Sequence, residues 1–325
     1  MQAFEYANPE TLQEALGLLS AQAGHTDVLA GGTDLLSLMK EYVATPARLV
    51  NIKGIKELQG ITKTAAGLRI GALVTMDEMA TNADVRAQYK ALSDAAAAIP
   101  SPQIRHMGTA GGDLCQRPRC WYYRQGFGLL ATKDGKALVP DGENKYHAIF
   151  GGGPAYFVSA SSLGPALVAL GATVKLVSSK GSREMAAAKF FVIPKDDKTR
   201  EIALRPDEIL TEIVIPAGAV KTATYEVRQK EALDWPLAAA SVALKMNGNT
   251  VTSARVVLGH VAPIPWEAAG AGKALAGKTI TAATAEAAGK AAVEGAQPLS
   301  QNAYKVQLAR VAVKRALLDA VKTRA

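Results

Sequence analysis

The spacing of apolar residues predicts alternating helices and strands over the first two thirds of the chain. Between Thr11 and Ala23 apolar residues recur at helical intervals, and Thr11 with Glu14 forms a capping box. A short apolar run at residues 28–30 predicts a strand, and residues 35–39 predict the helix that follows it. Further strands are predicted at residues 48–52, 68–72 and 173–177, and further helices at 162–170 and after the capping box of Thr75 and Glu78.

The pattern changes after Pro216-Ala217-Gly218, where we place a domain boundary at about residues 216–222. Strands are predicted at residues 238–246 and 255–260, followed by an alanine-rich segment. The last helix is predicted at residues 301–322, with Tyr304, Leu308, Val311 and Leu318 on one stripe. Strands and helices in this arrangement indicate an α/β or α+β body.

Composition excludes several classes of protein. The 325 residues include two cysteines, Cys115 and Cys120, too few for a multi-disulfide scaffold or a four-cysteine metal site. The basic residues behind the net charge of +8 are scattered along the chain, so nucleic-acid binding is disfavoured. No signal peptide and no long apolar run are visible, so we expect a cytoplasmic protein without membrane insertion.

Two glycine pairs are the leading candidates for chemistry. Gly31-Gly32 follows a predicted strand and Gly111-Gly112 lies in a second predicted turn, where free backbone N–H groups can approach an anionic oxygen closely. Either pair alone is more often a plain turn. Neither matches the dinucleotide fingerprint G-x-G-x-x-G, and the chain contains no P-loop motif.

Other polar residues give weaker signals. The four histidines stand far apart without metal-ligand spacing, and no nucleophile elbow supports a hydrolytic triad. The segment 229–236 places Lys230, Asp234 and Trp235 close together. It is either an exposed turn or a set of charges beside a polar heterocycle such as a flavin.

Taken in order, four motifs resemble the FAD-binding medium subunit of the xanthine dehydrogenase and carbon monoxide dehydrogenase family of molybdenum hydroxylases. They are residues 30–36 (AGGTDLL), 109–114 (TAGGDL), 116–124 (QRPRCWYYR) and 230–237 (KEALDWPL). The likeness covers essentially the whole chain and is greatest to the flavin subunits of aldehyde oxidoreductases and 4-hydroxybenzoyl-CoA reductases.

This resemblance implies an α+β fold. An FAD-binding domain of the vanillyl-alcohol-oxidase (PCMH) type would span residues 1–218, in two α/β subdomains at about 1–56 and 57–218. A C-terminal domain, with a three-stranded antiparallel sheet and helices, would span residues 219–325.

The resemblance also implies which residues bind FAD. The two glycine segments would hold its pyrophosphate, Lys230 and Asp234 would lie near the isoalloxazine, and Ser162 would stand near the adenosine half. The full set of implied cofactor-binding residues is Leu29, Ala30, Gly31, Gly32, Thr33, Asp34, Leu35, Thr109, Ala110, Gly111, Gly112, Asp113, Arg119, Ser162, Lys230 and Asp234.

The implied function is electron transfer. A large molybdopterin subunit would oxidise the substrate, a small [2Fe–2S] subunit would pass the electrons on, and FAD in this chain would deliver them to an external acceptor. No catalytic acid or base and no metal ligand is then expected here. The alternatives are a stand-alone flavin oxidoreductase on the same fold and a flavin-free scaffold subunit. The substrate and the acceptor stay open.

Two positions depart from the family pattern. Some relatives carry a [4Fe–4S] cluster after the second glycine segment, and only Cys120 stands at a matching place, so we expect no such cluster in this chain. Ser162 replaces an aspartate that is frequent in relatives, which predicts a weaker hydrogen bond at that position.

Overall fold

A computed structural model of the chain describes residues 1–230 and 234–322. Its strands, in chain order, are β1 (Glu5–Ala7), β2 (Thr26–Leu29), β3 (Arg48–Asn51), β4 (Ile61–Thr64), β5 (Gly67–Gly71), β6 (Thr132–Lys133), β7 (Lys136–Ala137), β8 (Thr173–Ser178), β9 (Gly181–Ala186), β10 (Ile209–Pro216), β11 (Lys221–Arg228), β12 (Pro236–Asn247), β13 (Thr250–Gly259) and β14 (Trp266–Glu267).

The helices surround these strands. They are α1 (Leu12–Gly17), α2 (Leu35–Lys40), α3 (Met76–Thr81), α4 (Ala83–Gln88), α5 (Lys90–Ala97), α6 (Pro102–Met107), α7 (Ala110–Cys115), α8 (Trp121–Arg124), α9 (Gly164–Leu170), α10 (Ala187–Phe190), α11 (Ala269–Leu275), α12 (Ala282–Ala292) and α13 (Tyr304–Val321), with a 3-10 turn at Lys56–Leu58. No helix in the two described ranges has the length and apolar composition needed to cross a membrane.

Four sheets organise the described strands, and the smallest is the two-stranded antiparallel pair of β6 and β7. The first is parallel, in the order β1-β3-β2, and the second has five antiparallel strands in the order β4-β5-β10-β8-β9. The third is antiparallel, in the order β11-β12-β13-β14, so the three expected strands carry a two-residue fourth strand at one edge. The predicted α+β class is confirmed.

The connections between sheets fall close to the predicted divisions of the chain. The first sheet ends at Asn51 and the second begins at Ile61, while β10 ends at Pro216 and β11 begins at Lys221. A division into subdomains at about residue 56 and into domains at residue 218 remains our proposal.

Each large sheet has its own apolar core. Residues of β5, β8 and β10 pack with α3, α5 and α9 in one cluster, and residues of β12 and β13 pack with α12 and α13 in another. Burial of these apolar faces is the main stabilising contribution to both layers.

The two capping boxes predicted the starts of α1 and α3 correctly, whereas α9 and α13 begin two and three residues later than predicted. Both capping boxes are present, yet α1 ends at Gly17, six residues before the predicted end. Gly111-Gly112 lies in the first turn of helix α7 and not in a free turn, because the Thr109 side chain caps that helix.

The stripe of apolar residues predicted for the last helix is only partly buried. The buried face carries Lys305, Ala309, Ala312, Val313, Ala316, Leu317 and Ala320, because small alanine side chains let α13 lie close to α12 and β12.

Lys305 ties this last helix to two distant segments. Its ammonium group is buried and donates hydrogen bonds to the carbonyl oxygens of Tyr146 (3.0 Å), His147 (3.2 Å) and His260 (2.7 Å). Burial lowers the pKa of Lys305 to about 7. Burial, with the nearby charge of Lys305, also lowers the pKa of His147 to about 4 and of His260 to about 3.

The buried cluster of Lys305, His147 and His260 predicts that acid destabilises the fold. Since the folded-state pKa of His260 lies near 3 and an unfolded histidine titrates near 6.5, the unfolded chain binds a proton that the folded chain rejects over this interval. The free energy of unfolding should therefore decrease as pH falls below about 6.5, by up to about 1.4 kcal/mol per pH unit for each such histidine. His260→Asn, which suits the left-handed backbone at this position, should make that decrease shallower.

Urea denaturation at several pH values between 6.5 and 4.5 measures this effect. His106→Asn serves as the control, because the His106 side chain is 65% exposed. The assignment of the acid sensitivity to His260 is wrong if the free energy of unfolding depends on pH in His260→Asn as it does in wild type, or if the dependence changes equally in His106→Asn.

Candidate functional site

A large cavity of about 920 Å³ lies where the two glycine segments and the start of β12 meet. Its size is in the range of pockets that enclose a large organic ligand. Of the predicted residues, the cavity is lined by Ala30, Gly31, Gly32, Thr33, Asp34, Leu35, Thr109, Gly111, Gly112, Asp113, Arg119, Ser162 and Asp234. Leu29 and Ala110 are buried beside it, and Lys230 is exposed and does not line it.

The first glycine segment leaves its backbone donors free. The N–H groups of Gly31, Gly32 and Thr33 have no acceptor within residues 1–230 and 234–322. Gly32 has a left-handed backbone (φ +73°), and a Cβ atom on Gly31 would lie 1.9 Å from the Met107 carbonyl oxygen. Glycine is therefore required here both for backbone conformation and for contact with the end of α6.

The second glycine segment uses its donors within the protein. Ala110 N donates to Val74 O and Gly111 N donates to Ala72 O, both over 2.8 Å, while Gly112 N donates to Thr109 Oγ1 over 3.1 Å. The two segments that look alike in sequence thus differ. The first presents free donors to the cavity, and the second forms a fixed wall.

Asp34 joins the first glycine segment to the arginine-rich segment, which is residues 116–124. Its carboxylate accepts hydrogen bonds from Arg124 Nη2 (2.7 Å) and from the backbone N–H of Arg117 (2.8 Å), and it pairs with Arg119 Nη1 (2.9 Å). The Asp34 side chain is 14% exposed. Its charge is therefore neutralised by protein groups, and its ion pair with Arg119 holds that side chain beside the cavity.

Asp113 joins α7 to the loop before α9. Its carboxylate accepts hydrogen bonds from Ser161 Oγ (2.5 Å), Ser162 N (3.1 Å), Leu163 N (3.0 Å) and Gln116 Nε2 (3.1 Å). Burial raises the pKa of the Asp113 carboxyl, and the hydrogen bonds from Ser161 and the backbone oppose that shift. Ser162 is held to the wall of the cavity through its backbone.

Asp234 links the described residues on either side of positions 231–233. Its two carboxylate oxygens accept the backbone N–H groups of Lys230 (3.1 Å) and Trp235 (3.0 Å). Residues 231–233 of the predicted motif lie outside the described residues. Asp234 and Trp235 line the cavity.

Several lining residues carry no local sequence signal. Glu226 and Arg228 form a buried ion pair on β11, with Arg228 also donating to the carbonyl oxygen of Ala98. Burial raises the pKa of the Glu226 carboxyl, and the Arg228 charge opposes that shift. The hydroxyl of Thr26 also faces the cavity, buried and without a hydrogen-bond partner in the described part of the chain. Alternating residues on a strand gave no hint that these polar groups point at a ligand cavity.

Both cysteines are free thiols that lie near the cavity or near a histidine. Cys115 is a free thiol at the cavity wall, where burial raises its pKa to about 11, and Cys120 Sγ lies 3.2 Å from His147 Nε2. Across the described residues, no group of three or more His, Cys, Asp or Glu side chains is arranged to hold a metal ion.

Comparison with known proteins identifies the family. Residues 2–218 match the FAD binding domain in molybdopterin dehydrogenase, and residues 223–320 match the CO dehydrogenase flavoprotein C-terminal domain. The chain therefore belongs to the family of FAD-binding subunits of molybdopterin dehydrogenases, and FAD is the cofactor of this family of oxidoreductases.

Individual relatives match over almost their full length. The carbon monoxide dehydrogenase medium chain of Hydrogenophaga pseudoflava is 31% identical over 97% of this chain and 96% of the relative. The aldehyde oxidoreductase FAD-binding subunit PaoB of Escherichia coli (strain K12) is 31% identical over 98% of this chain and 99% of its own length. Quinoline 2-oxidoreductase from Pseudomonas putida 86 superposes with a TM-score of 0.76 at 27% identity, covering 98% of this chain and 97% of the matched chain.

The hydrogen bonds that the Asp113 carboxylate accepts predict that replacing this carboxylate strongly lowers the free energy of unfolding. Asp113→Asn replaces one acceptor oxygen with an NH₂ group that faces donors, so buried N–H groups lose their acceptor. We expect a decrease of about 2–4 kcal/mol in the free energy of unfolding, measured by urea denaturation. Asp84→Asn, at an exposed position of α4, should change it by less than about 1 kcal/mol. Equal stability of the two variants would contradict this role for Asp113.

Proposed function

We propose that this chain is the FAD-binding electron-transfer subunit of a molybdenum hydroxylase complex. The other subunits would be a large molybdopterin subunit and a small [2Fe–2S] subunit, with an external acceptor taking up the electrons. The observation that carries the proposal is the cavity, which is lined by both glycine segments and has three free N–H groups at the first of them.

The residues of the cavity fit FAD. A pyrophosphate needs several donors at close range, and the N–H groups of Gly31, Gly32 and Thr33, which have no acceptor among the described residues, would supply them. The unpartnered hydroxyl of Thr26 offers a further donor or acceptor to the same ligand. When bound, FAD supplies the chemistry of electron storage, and the protein supplies anchoring, orientation and electrostatics.

We assign the second glycine segment a different part from the first. Since Ala110, Gly111 and Gly112 donate their N–H groups within the protein, α7 would shape the cavity wall against which the pyrophosphate lies. The isoalloxazine would lie toward Asp234 and Trp235, as the resemblance implies for the motif of residues 230–237. Lys230 would act there through its charge, and Leu29 and Ala110 would support the segments from behind.

Replacing Gly32 tests cofactor binding. Gly32→Ala puts a Cβ atom 3.2 Å from side-chain carbons of Leu29 and Leu36 and strains a left-handed residue, which shifts the free N–H groups. We expect FAD affinity to fall about 10-fold to 100-fold, as when one or two charge-assisted hydrogen bonds are lost, measured by titrating the FAD-free protein with FAD.

Gly277→Ala is the matched control. Gly277 has nearly the same backbone angle (φ +72°), lies outside the cavity lining and has no atom within 4 Å of the added Cβ. Both variants should lose similar stability, about 1–2 kcal/mol, but only Gly32→Ala should lose affinity. A wild-type chain that binds no FAD would favour the scaffold alternative instead.

Relatives support the assembly. One matched structure is described as carbon monoxide dehydrogenase from Hydrogenophaga pseudoflava lacking the Mo-pyranopterin moiety of its molybdenum cofactor, and it superposes with a TM-score of 0.76 over 98% of this chain. We infer that this chain likewise serves a molybdenum enzyme and needs no catalytic acid or base of its own.

Isolation of the native complex tests that assembly. A tagged chain, purified from its own cells, should bring down two partners in fixed ratio, with molybdenum and iron in the eluate by metal analysis. The isolated chain should hold FAD but oxidise no organic donor. Steady turnover of a donor by the isolated chain would instead establish the stand-alone oxidoreductase.

A further inference from the structure

Trp235 stands at the edge of the cavity with almost half of its surface exposed. It is 45% exposed and belongs to none of the five buried apolar clusters of the described residues. A large exposed aromatic ring that supports no core is available for another use. Its position at the start of β12 brings this ring from the C-terminal part of the chain to a cavity built mainly by the first 218 residues.

The partner of Trp235 is Arg119. The guanidinium carbon of Arg119 lies over the indole ring, 4.7 Å from its centroid, which is the geometry of a cation–π pair. Both side chains line the cavity.

Arg119 is held from its other side as well. Its Nη1 lies 2.9 Å from Asp34 Oδ1, and its Nη2 donates to Gln116 Oε1 over 2.9 Å. Asp34 follows directly on the first glycine segment, where the free N–H groups are. A continuous chain of contacts therefore runs from that segment through Asp34 and Arg119 to Trp235.

Trp235 is also fixed along its backbone. The Asp234 carboxylate accepts the N–H groups of Lys230 and Trp235. These two hydrogen bonds hold the backbone of Trp235 beside Lys230, at the end of β11.

We propose that Arg119 and Trp235 form a clasp that closes the cavity over the bound cofactor, with Trp235 as a positioning residue. This inference rests on the proposed function. The clasp joins residues on both sides of the predicted domain boundary. The C-terminal domain therefore takes part in retaining FAD, and Trp235 limits both the release of FAD and the access of solvent to it.

The test measures FAD release from the loaded full-length chain. Trp235→Leu should speed the release about fivefold to thirtyfold, followed as recovery of flavin fluorescence after rapid dilution. Trp235→Phe keeps an aromatic face for Arg119 and should stay within about threefold of wild type. Iodide quenching of the bound flavin should increase in Trp235→Leu and hardly change in Trp235→Phe.

A double-mutant cycle separates the clasp from independent effects. Arg119→Gln should speed release at least as much as Trp235→Leu, because it also breaks the pair with Asp34. The double variant should then release FAD no faster than Arg119→Gln alone, since both changes remove one shared contact. Additive effects of the two changes would overturn the clasp.

Tyr225→Leu is the matched control. Tyr225 forms a cation–π pair with Arg315 at 5.1 Å, in the same sheet but outside the cavity lining. It should leave FAD release unchanged. The thermal unfolding midpoint of the FAD-free chain should shift by less than about 2 °C in Trp235→Leu, because the ring is part of no core.

The outcomes separate the clasp from the proposed function. Tight FAD binding by wild type with unchanged release from Trp235→Leu would overturn the clasp alone. Failure of wild type to bind FAD would overturn the proposed function, on which the clasp depends.

Discussion

The Asp34 carboxylate is the interaction on which the geometry of the cavity depends. It lies at the start of α2, immediately after the free N–H groups of the first glycine segment, and it binds Arg124, Arg119 and the backbone of Arg117. A buried or half-buried carboxylate needs such partners, because an unpaired charge at this depth would be strongly destabilising. The same contacts hold the arginine-rich segment against the glycine segment, so one set of hydrogen bonds fixes two walls of the cavity.

Charged side chains and backbone N–H groups have different roles around the cavity. Charged side chains neutralise one another within the protein, as in Asp34 with its arginines and Glu226 with Arg228. The backbone N–H groups of the first glycine segment remain available to an anionic ligand, and such groups are fixed in direction and lose no side-chain entropy on binding. A cofactor that must stay bound through many turnovers benefits from donors that need no reorganisation.

Sequence patterns predicted those structural features that depend only on residues close together in the chain. The capping boxes at Thr11 and Thr75 are local, and both are present. The alanine face of α13 packs on α12 and β12, and the Gly111 N–H donates to Ala72, so both features depend on segments elsewhere in the chain. The periodicity of apolar residues could not reveal them. The resemblance to a family brought the two glycine segments together, but it could not tell that they would present their donors so differently.

The sequence could not predict that Glu226 and Arg228 line the cavity, because the segments that meet there lie far apart in the chain. Glu226 and Arg228 alternate with apolar residues as on any half-buried strand, and Arg228 reaches the carbonyl oxygen of Ala98, about 130 residues earlier. A buried ion pair of this kind contributes little net stability, since desolvation cancels most of the attraction. The pair lies where β11 meets the end of α5, and the hydrogen bond from Arg228 to Ala98 ties the third sheet to that end of α5 at the cavity wall.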